Sequence, residues 1–178
     1  GHAPTAIHNN CSGKHSGMLA LSKFLGAADR DYREVDHPVQ QRNLAALADL
    51  AGVSVSSIHT AVDGCSVPTF ALPLHAAARA FARLLDPAGL APDRVQAIER
   101  IVPAMQAHPE LVAGDDRFDT WLMSSIPGVV SKGGAEGYQG LAVRRGDDVY
   151  GVVTRVADGD VSGRAGPVLV VETLRQLG

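Results

Sequence analysis

The spacing of apolar positions predicts that most of the chain is helical and that strands follow late in the sequence. Apolar residues recur three or four positions apart in four segments, as they do on the buried face of an amphipathic helix. These helices are predicted to begin at Gly13, Pro38, Pro73 and Pro92, and to stop at Gly26, Gly52 and Asp86-Pro87. Ser12 is the predicted cap of the first helix, and Pro103 is predicted to kink the fourth.

Two shorter helical segments, around 109–112 and 118–123, lead into a region with a different period. Apolar and β-branched residues there predict a strand at 129–131 and a hairpin of 138–145 with 149–156, and a short strand is predicted earlier, at 58–62. A last helix is predicted from Pro167. Helices first and antiparallel strands later indicate an α+β fold rather than a doubly wound sheet.

The chain is expected to form a single domain, because residues 1–178 contain no linker, internal repeat or low-complexity tract. A small antiparallel sheet of this kind would be expected to have more strands, which suggests that part of the fold lies upstream of this sequence. An incomplete core exposes apolar surface that needs a partner, and this leaves a homo-oligomer, such as a dimer, open.

Composition excludes several classes of function. The chain is 46% hydrophobic with a net charge of −3, and its charges are interspersed, so no basic surface for nucleic acid is expected. No apolar run approaches the roughly 20 residues needed to span a bilayer, and no signal peptide is visible, so a cytoplasmic protein without a membrane partner is expected. Two cysteines in such a chain are more typical of thiols or ligands than of a disulfide framework.

Both cysteines lie beside a second candidate metal ligand. Cys11 and Lys14 are three residues apart at a predicted helix start and can share one face, while Asp63 and Cys65 lie on one side of an extended segment. Thiolate and carboxylate are suitable zinc ligands, and a lysine amine can bind a metal only after losing its proton. The four groups could therefore surround one metal ion. The alternative is two buried thiols, a solvated amine and a turn-capping carboxylate.

Lys132 lies in a second candidate site. The segment 131–137 runs from a strand end into glycines that allow a ligand to approach the backbone, and Lys132 there could hold an anion or polarise a nucleophile. The chain has only three lysines, so a lysine at this place suggests a need for a compact amine. The alternative is a surface loop with a polar tip.

Other polar residues carry weaker signals. His15 is a candidate donor or general base next to Lys14, although a histidine in a first helical turn is as often a surface residue. The run Arg117-Phe118-Asp119-Thr120 is interpreted as a local ion pair and helix cap. The remaining histidines, His2 among them, lack metal-ligand spacing and are assigned no role.

Taken together, six short blocks in order along the chain resemble the asparaginase II family, the zinc-containing Rhizobium-type L-asparaginases. The blocks are Asn10-Cys11-Ser12-Gly13-Lys14-His15, His37-Pro38-Val39-Gln40, Asp63-Gly64-Cys65-Ser66-Val67-Pro68, Val112-Ala113-Gly114 with Arg117-Phe118-Asp119-Thr120, Lys132-Gly133-Gly134-Ala135-Glu136-Gly137, and Val156-Ala157-Asp158-Gly159-Asp160. The combination is far more specific than any one block.

The resemblance implies a fold like that of serine β-lactamases and glutaminases, and hydrolysis of L-asparagine to L-aspartate and ammonia through a serine acyl-enzyme. It implies a zinc site at Cys11, Lys14, Asp63 and Cys65 near the substrate pocket. It also implies that Lys132 is the lysine supporting the serine. Glu136 and His15 are then expected to contact the substrate or to support the ligands around it.

The sequence departs from the family pattern in one important respect. The family's nucleophile lies in a Ser-x-x-Lys helix, and this chain contains no Ser-x-x-Lys. The sequence therefore resembles the C-terminal portion of such an enzyme, and a catalytically silent zinc-binding fragment or structural domain is the alternative function. A redox protein that uses Cys11 and Cys65 is a third possibility. Ser66 stands where the family pattern has glycine, a change expected to be tolerated.

Overall fold

The computed structural model describes residues 3–178, and His2 lies outside the described residues. The described chain forms two compact units: residues 3–49 with 53–72, and residues 50–52 with 73–178.

The first unit combines two helices with a short hairpin. Its elements are a 3₁₀ turn Ala6–His8, helix α1 Ser12–Phe24, helix α2 Pro38–Ala51, which continues into the second unit, a 3₁₀ turn Val55–Ser57, and strands β1 His59–Val62 and β2 Pro68–Ala71. The cap of α1 is Cys11 rather than the predicted Ser12, and its side chain makes no capping hydrogen bond. Gly26 and Gly52 are predicted from the sequence to end helices α1 and α2. Both have positive φ angles, 65° and 66°, as glycines after a helix end commonly do.

Two small apolar clusters fill this unit. Met18, Val39 and Val67 form one, and Leu44, Ala48 and Ile58 form the other. Gln40 is buried beside the first cluster, where its amide donates to the Tyr32 carbonyl at 2.8 Å. This hydrogen bond ties the loop before α2 to the helix.

A tight reversal joins β1 to β2. The Asp63 N–H donates to the Val67 carbonyl at 2.8 Å, and the Ser66 N–H donates to the Asp63 carbonyl at 2.8 Å. Ser66 has a φ of 69°, the left-handed conformation that glycine adopts without strain, which explains physically why glycine suits this position.

The second unit contains a three-stranded sheet and the remaining helices. Its elements are α3 Leu74–Leu85, α4 Pro92–Ala107, α5 Pro109–Ala113, α6 Phe118–Ser125, β3 Val129–Gly133, β4 Tyr138–Arg145, β5 Asp148–Arg155 and α7 Gly166–Gln176. The strands are antiparallel in the order β3-β4-β5, so β4 is central. The α+β prediction is confirmed, with helices and two small antiparallel sheets in the described residues. Helix α4 runs through Pro103 as one helix.

Helix α3 packs closely on one face of the sheet because that face lacks bulky side chains. Gly140 lies on β4, and Gly151 on β5 pairs with Ala142 of β4. A Cβ atom at Gly140 would overlap the Phe81 ring, and one at Gly151 would overlap the Ala78 carbonyl of α3. The core of this unit includes Leu122, Val130, Leu141, Val143 and Val170, which are fully buried.

None of the helices in residues 3–178 combines the length and the apolar character that crossing a bilayer requires.

Gly151→Ala is expected to destabilise the second unit by about 3 kcal/mol, because the helix backbone that its methyl group would meet cannot rotate away. The added Cβ would also lie 2.9 Å from the Ala82 nitrogen. Gly146→Ala is the control, since Gly146 has open space around it and a φ of 59°, so backbone strain of about 1 kcal/mol is its only expected cost. Urea unfolding measures both values, and equal losses would contradict the close approach of α3.

Ser66→Gly is expected to stabilise the protein by about 0.5–1 kcal/mol, because the relief of left-handed strain exceeds the extra entropy of glycine in the unfolded chain. Ser54→Gly is the matched control, since Ser54 has an ordinary φ of −72°. Urea unfolding should show a gain for the first variant and none for the second. A loss of stability in Ser66→Gly would contradict the strain.

Candidate functional site

Cys11 and Lys14 lie at the N-terminal end of α1. The Asn9 side chain accepts a hydrogen bond from the Cys11 N–H at 2.8 Å, which fixes the chain as it enters the helix. Because residues three apart in a helix share a face, the Cys11 thiol and the Lys14 amine lie on the same side of this end.

The reversal after β1 presents Asp63 and Cys65 to these two residues. Asp63 Oδ1 accepts a hydrogen bond from the Gly64 N–H at 2.7 Å, which orients the carboxylate. Its other oxygen, Oδ2, lies 3.0 Å from Lys14 Nζ and accepts a hydrogen bond from the Cys65 thiol at 3.4 Å. The structure therefore brings the four predicted ligands together from two separate parts of the first unit.

The donor atoms of Cys11, Asp63 and Cys65 all lie within 4.8 Å of one another, and the three residues are half-buried. Ligands around a tetrahedral zinc ion are separated by about 3.3–3.8 Å, given zinc–oxygen and zinc–sulfur bonds near 2.0–2.3 Å. Small side-chain rotations would close the difference. Two thiols with a carboxylate and an amine form a donor set that suits zinc better than calcium or magnesium.

Electrostatics in this cluster favour an ion pair in the absence of metal. The hydrogen bond from Lys14, with that from the Gly64 N–H, lowers the pKa of Asp63. Burial opposes the charge of Lys14, but hydrogen bonds to Asp63 and Cys65 outweigh it and raise the pKa of the amine. Burial and the contact with Cys65 raise the pKa of Cys11. A metal bound here would have to displace protons from the thiols and from the amine.

A cavity of about 450 Å³ opens beside the cluster within the first unit. Lys14 and Asp63 line one part of it, Asn43 and Thr69 contribute polar groups, and Phe70 is among its apolar walls. Its size and mixed lining suit a small organic molecule.

His15 has a different partner. Its Nδ1 lies 2.6 Å from the Tyr32 hydroxyl, and the two rings meet edge to face. The imidazole is therefore tied to the loop before α2 rather than to the thiols.

Lys132 and Glu136 belong to the second unit. Lys132 is exposed at the end of β3, and its Nζ donates a hydrogen bond to the Gly133 carbonyl at 2.6 Å. Glu136 lies in the β3–β4 loop with a φ of 57°, and its carboxylate lies against Gly159. These contacts hold the two residues separately, so the structure does not bring them together as a pair.

Asp119 has a role that the sequence interpretation misses. The sequence predicts a local ion pair and cap here, but the Asp119 carboxylate accepts hydrogen bonds from Ser131, Gln139 and the Gly133 backbone. The side chains of Asp119, Ser131 and Gln139 are buried. Ser131 and Gln139 are polar residues at inward-facing positions of largely apolar strands, and that pattern is the signal available in the sequence.

Comparisons with known proteins identify the family. No curated protein matches the chain significantly. A sequence profile described as L-asparaginase II matches residues 1–178, which is the whole chain. The match agrees with the ordered blocks that include the cysteine and Lys132 segments. This chain therefore belongs to the asparaginase II family.

Proposed function

We propose that the protein acts as an amidohydrolase of the L-asparaginase type, which converts L-asparagine to L-aspartate and ammonia, and that it binds zinc. The observation that carries the proposal is the cluster of Cys11, Lys14, Asp63 and Cys65 beside a small-molecule cavity, in a member of the asparaginase II family. Bound by these residues, zinc would supply Lewis-acid chemistry that could polarise or orient a substrate oxygen.

Each residue of the cluster has a proposed role. Cys11, Asp63 and Cys65 would hold the ion, and Lys14 would complete the set after giving up its proton. The cavity places Asn43 and Thr69 near the cluster, where they can donate to or accept from a small amide. His15 would keep α1 in place through Tyr32 rather than bind the substrate.

Lys132 is proposed to support the acyl-transfer step. An exposed amine at a strand end can hold a carboxylate or stabilise developing negative charge on the amide oxygen. Glu136, in the same loop, is proposed to shape the approach to Lys132. Acyl transfer also needs a nucleophilic serine. Since the sequence has no Ser-x-x-Lys, we propose that another polypeptide segment supplies this serine, and ammonia release is measured with that segment present.

We also propose that the fold is similar to that of the serine β-lactamases. An antiparallel sheet with α3 on one face and further helices in the same unit supports this assignment.

Ammonia release from L-asparagine tests the proposed function. Zinc-loaded protein is expected to release ammonia, and Lys132→Ala is expected to lower the rate about 100-fold or more, because the charge at the amide oxygen loses its support. Lys23→Ala is the matched control, since Lys23 is an exposed lysine on α1. No turnover with metal fully loaded would contradict the activity for this chain and favour a catalytically silent zinc-binding domain.

Metal analysis separates the ligands from Lys132. We expect about one zinc per chain in anaerobically purified protein, because the proposed ligands complete a single tetrahedral set. Cys11→Ser or Cys65→Ser is expected to weaken zinc binding by about 100-fold or more, since each removes a thiolate. Lys132→Ala should keep its zinc. Lys14→Arg retains a positive charge beside Asp63 but cannot bind a metal, so it should lose affinity if the amine is a ligand.

Loss of zinc in Lys132→Ala would contradict this assignment. A disulfide between Cys11 and Cys65 under mild oxidation, in protein without zinc, would instead favour the redox alternative. Protection of both thiols from alkylation by zinc would count against that alternative.

A further inference from the structure

The position of Lys132 depends on a residue on the opposite face of the sheet. Lys132 pairs with Gly140, whereas its neighbours Ser131 and Gly133 pair with Leu141 and Gln139. Since successive residues of a strand face opposite sides, Lys132 lies on one face and Ser131 on the other, where Gln139 also lies. A group that contacts Ser131 and Gln139 can therefore influence Lys132 only through the backbone.

The Asp119 carboxylate is that group. It is 6% exposed, in the first turn of α6, where the helix dipole favours negative charge. Its Oδ1 accepts hydrogen bonds from Ser131 Oγ and Gln139 Nε2, both at 2.6 Å, and Gln139 Nε2 also donates to Ser131 Oγ at 2.8 Å. The contacts that the structure gives this carboxylate are hydrogen bonds from neutral donors. Charge-assisted hydrogen bonds of this kind are short and strong, so the network is rigid.

Gly133 connects this network to Lys132. Its N–H donates to Asp119 Oδ2 at 2.7 Å, and its carbonyl accepts the hydrogen bond from Lys132 Nζ at 2.6 Å. One residue thus binds the carboxylate on one side and the amine on the other. A side chain at this position would crowd Gln139 and Asp119, because a Cβ would lie 3.0 Å from Gln139 Oε1 and 3.2 Å from Asp119 Oδ2.

The chain continues from Gly133 under a further restraint. The Gly134 N–H donates to the Tyr138 carbonyl at 2.9 Å, which closes the β3–β4 loop. With the N–H groups of both glycines held, the Gly133 carbonyl has little freedom to turn. The lysine side chain has four rotatable bonds, and a fixed acceptor at its end reduces the orientations that the amine samples.

We propose that Asp119 is a positioning residue for Lys132, acting through the Gly133 backbone, with Gln139 and Ser131 holding its carboxylate in place. The catalytic meaning of this arrangement rests on the proposed function. Without the carboxylate, the peptide group that joins Lys132 to Gly133 is free to turn, so the Lys132 side chain no longer leaves the strand in one direction and its amine no longer reaches the reacting amide in one orientation.

The first experiment observes Gly133 directly by nuclear magnetic resonance. In the unsubstituted protein, hydrogen exchange of the Gly133 amide is expected to be at least about 100-fold slower than in an unstructured chain. Asp119→Asn is expected to accelerate this exchange about tenfold or more, because an amide group cannot accept from all three donors. Ser131→Ala is the matched control. It removes one of the two hydrogen bonds to Oδ1, but Gln139 still holds that oxygen and the Oδ2 contact is kept, so the Gly133 amide should remain protected.

A double variant that exchanges the carboxylate and the amide of Asp119 and Gln139, the reversed pair, is expected to restore the protection of the Gly133 amide. In the double variant Asp119→Asn with Gln139→Glu, the introduced amide can accept the Gly133 N–H through its oxygen and donate to the introduced carboxylate through its nitrogen. Protection of the Gly133 amide should return to within about threefold of the original value, whereas Gln139→Glu alone, with two facing carboxylates, should not preserve it.

Kinetics test whether Asp119 acts through Lys132. Asp119→Asn is expected to lower kcat for ammonia release about 10–100-fold with little change in KM, since a misplaced amine affects the transition state more than substrate binding. In the Lys132→Ala background, Asp119→Asn should have no further effect on kcat. A purely structural role would produce the same loss in both backgrounds.

Each outcome decides the proposal. A Gly133 amide that exchanges freely in the unsubstituted protein, or that stays protected in a folded Asp119→Asn variant, would overturn it. Additive losses in the Lys132→Ala background would also overturn it. Should Asp119→Asn fail to fold, the measurement on the unsubstituted protein and the reversed pair still decide. Absence of ammonia release from the unsubstituted protein would instead contradict the proposed function, while exchange at Gly133 would still test the role of Asp119.

Discussion

Burial of β4 on both faces is the constraint on which the second unit depends. In a strand covered on both sides, a buried polar side chain is costly unless it is paired, and a bulky side chain is excluded where a helix approaches closely. Gly140 has no side chain and so leaves room for the Phe81 ring. Gln139 is polar, but its amide is paired because it donates hydrogen bonds to Asp119 and Ser131. The same requirement that completes the core therefore builds the network beside the Lys132 segment. The packing of the core therefore also bears on the backbone beside Lys132, the residue proposed to support acyl transfer.

The candidate metal cluster is built differently, from a helix end and a turn rather than from a buried strand. The Asn9 side chain accepts a hydrogen bond from the Cys11 N–H before α1, and the Asp63 side chain accepts one from the Gly64 N–H after β1. These local hydrogen bonds bring the four side chains of the cluster together without a deep core around them. The Lys14–Asp63 ion pair joins these two parts, and both side chains are about 40% exposed. An exposed ion pair contributes little to stability. The stability of the cluster would therefore depend strongly on a bound ion, which a buried network such as that of Asp119 does not require.

Local chemistry in the sequence predicts most of the elements, and tertiary contacts account for what it misses. Helical periodicity and terminal glycines or prolines predict the main helices, and the hairpin of β4 and β5 is predicted to within a residue. Strand β2 escapes prediction because it begins with Pro68, a residue that cannot donate to a sheet ladder. The network of Asp119 also escapes, because its partners lie 12 to 20 residues further along the chain. Spacing and family resemblance suggest the cysteine cluster, whereas the buried carboxylate gives no local signal of its own.

Both candidate sites contain a lysine in a chain whose basic residues are mostly arginines. Only Lys14, Lys23 and Lys132 are lysines in this chain, and two of them lie in the candidate sites. An arginine at position 14 would keep a positive charge near Asp63 but could not give up its proton to bind a metal. At position 132, a guanidinium would spread its donors over a planar fork, whereas an ammonium concentrates its charge at the single nitrogen that the Gly133 carbonyl holds. Under the proposed function, both positions require a small amine whose partners are fixed by the backbone, in a turn at Asp63 and in a strand at Gly133.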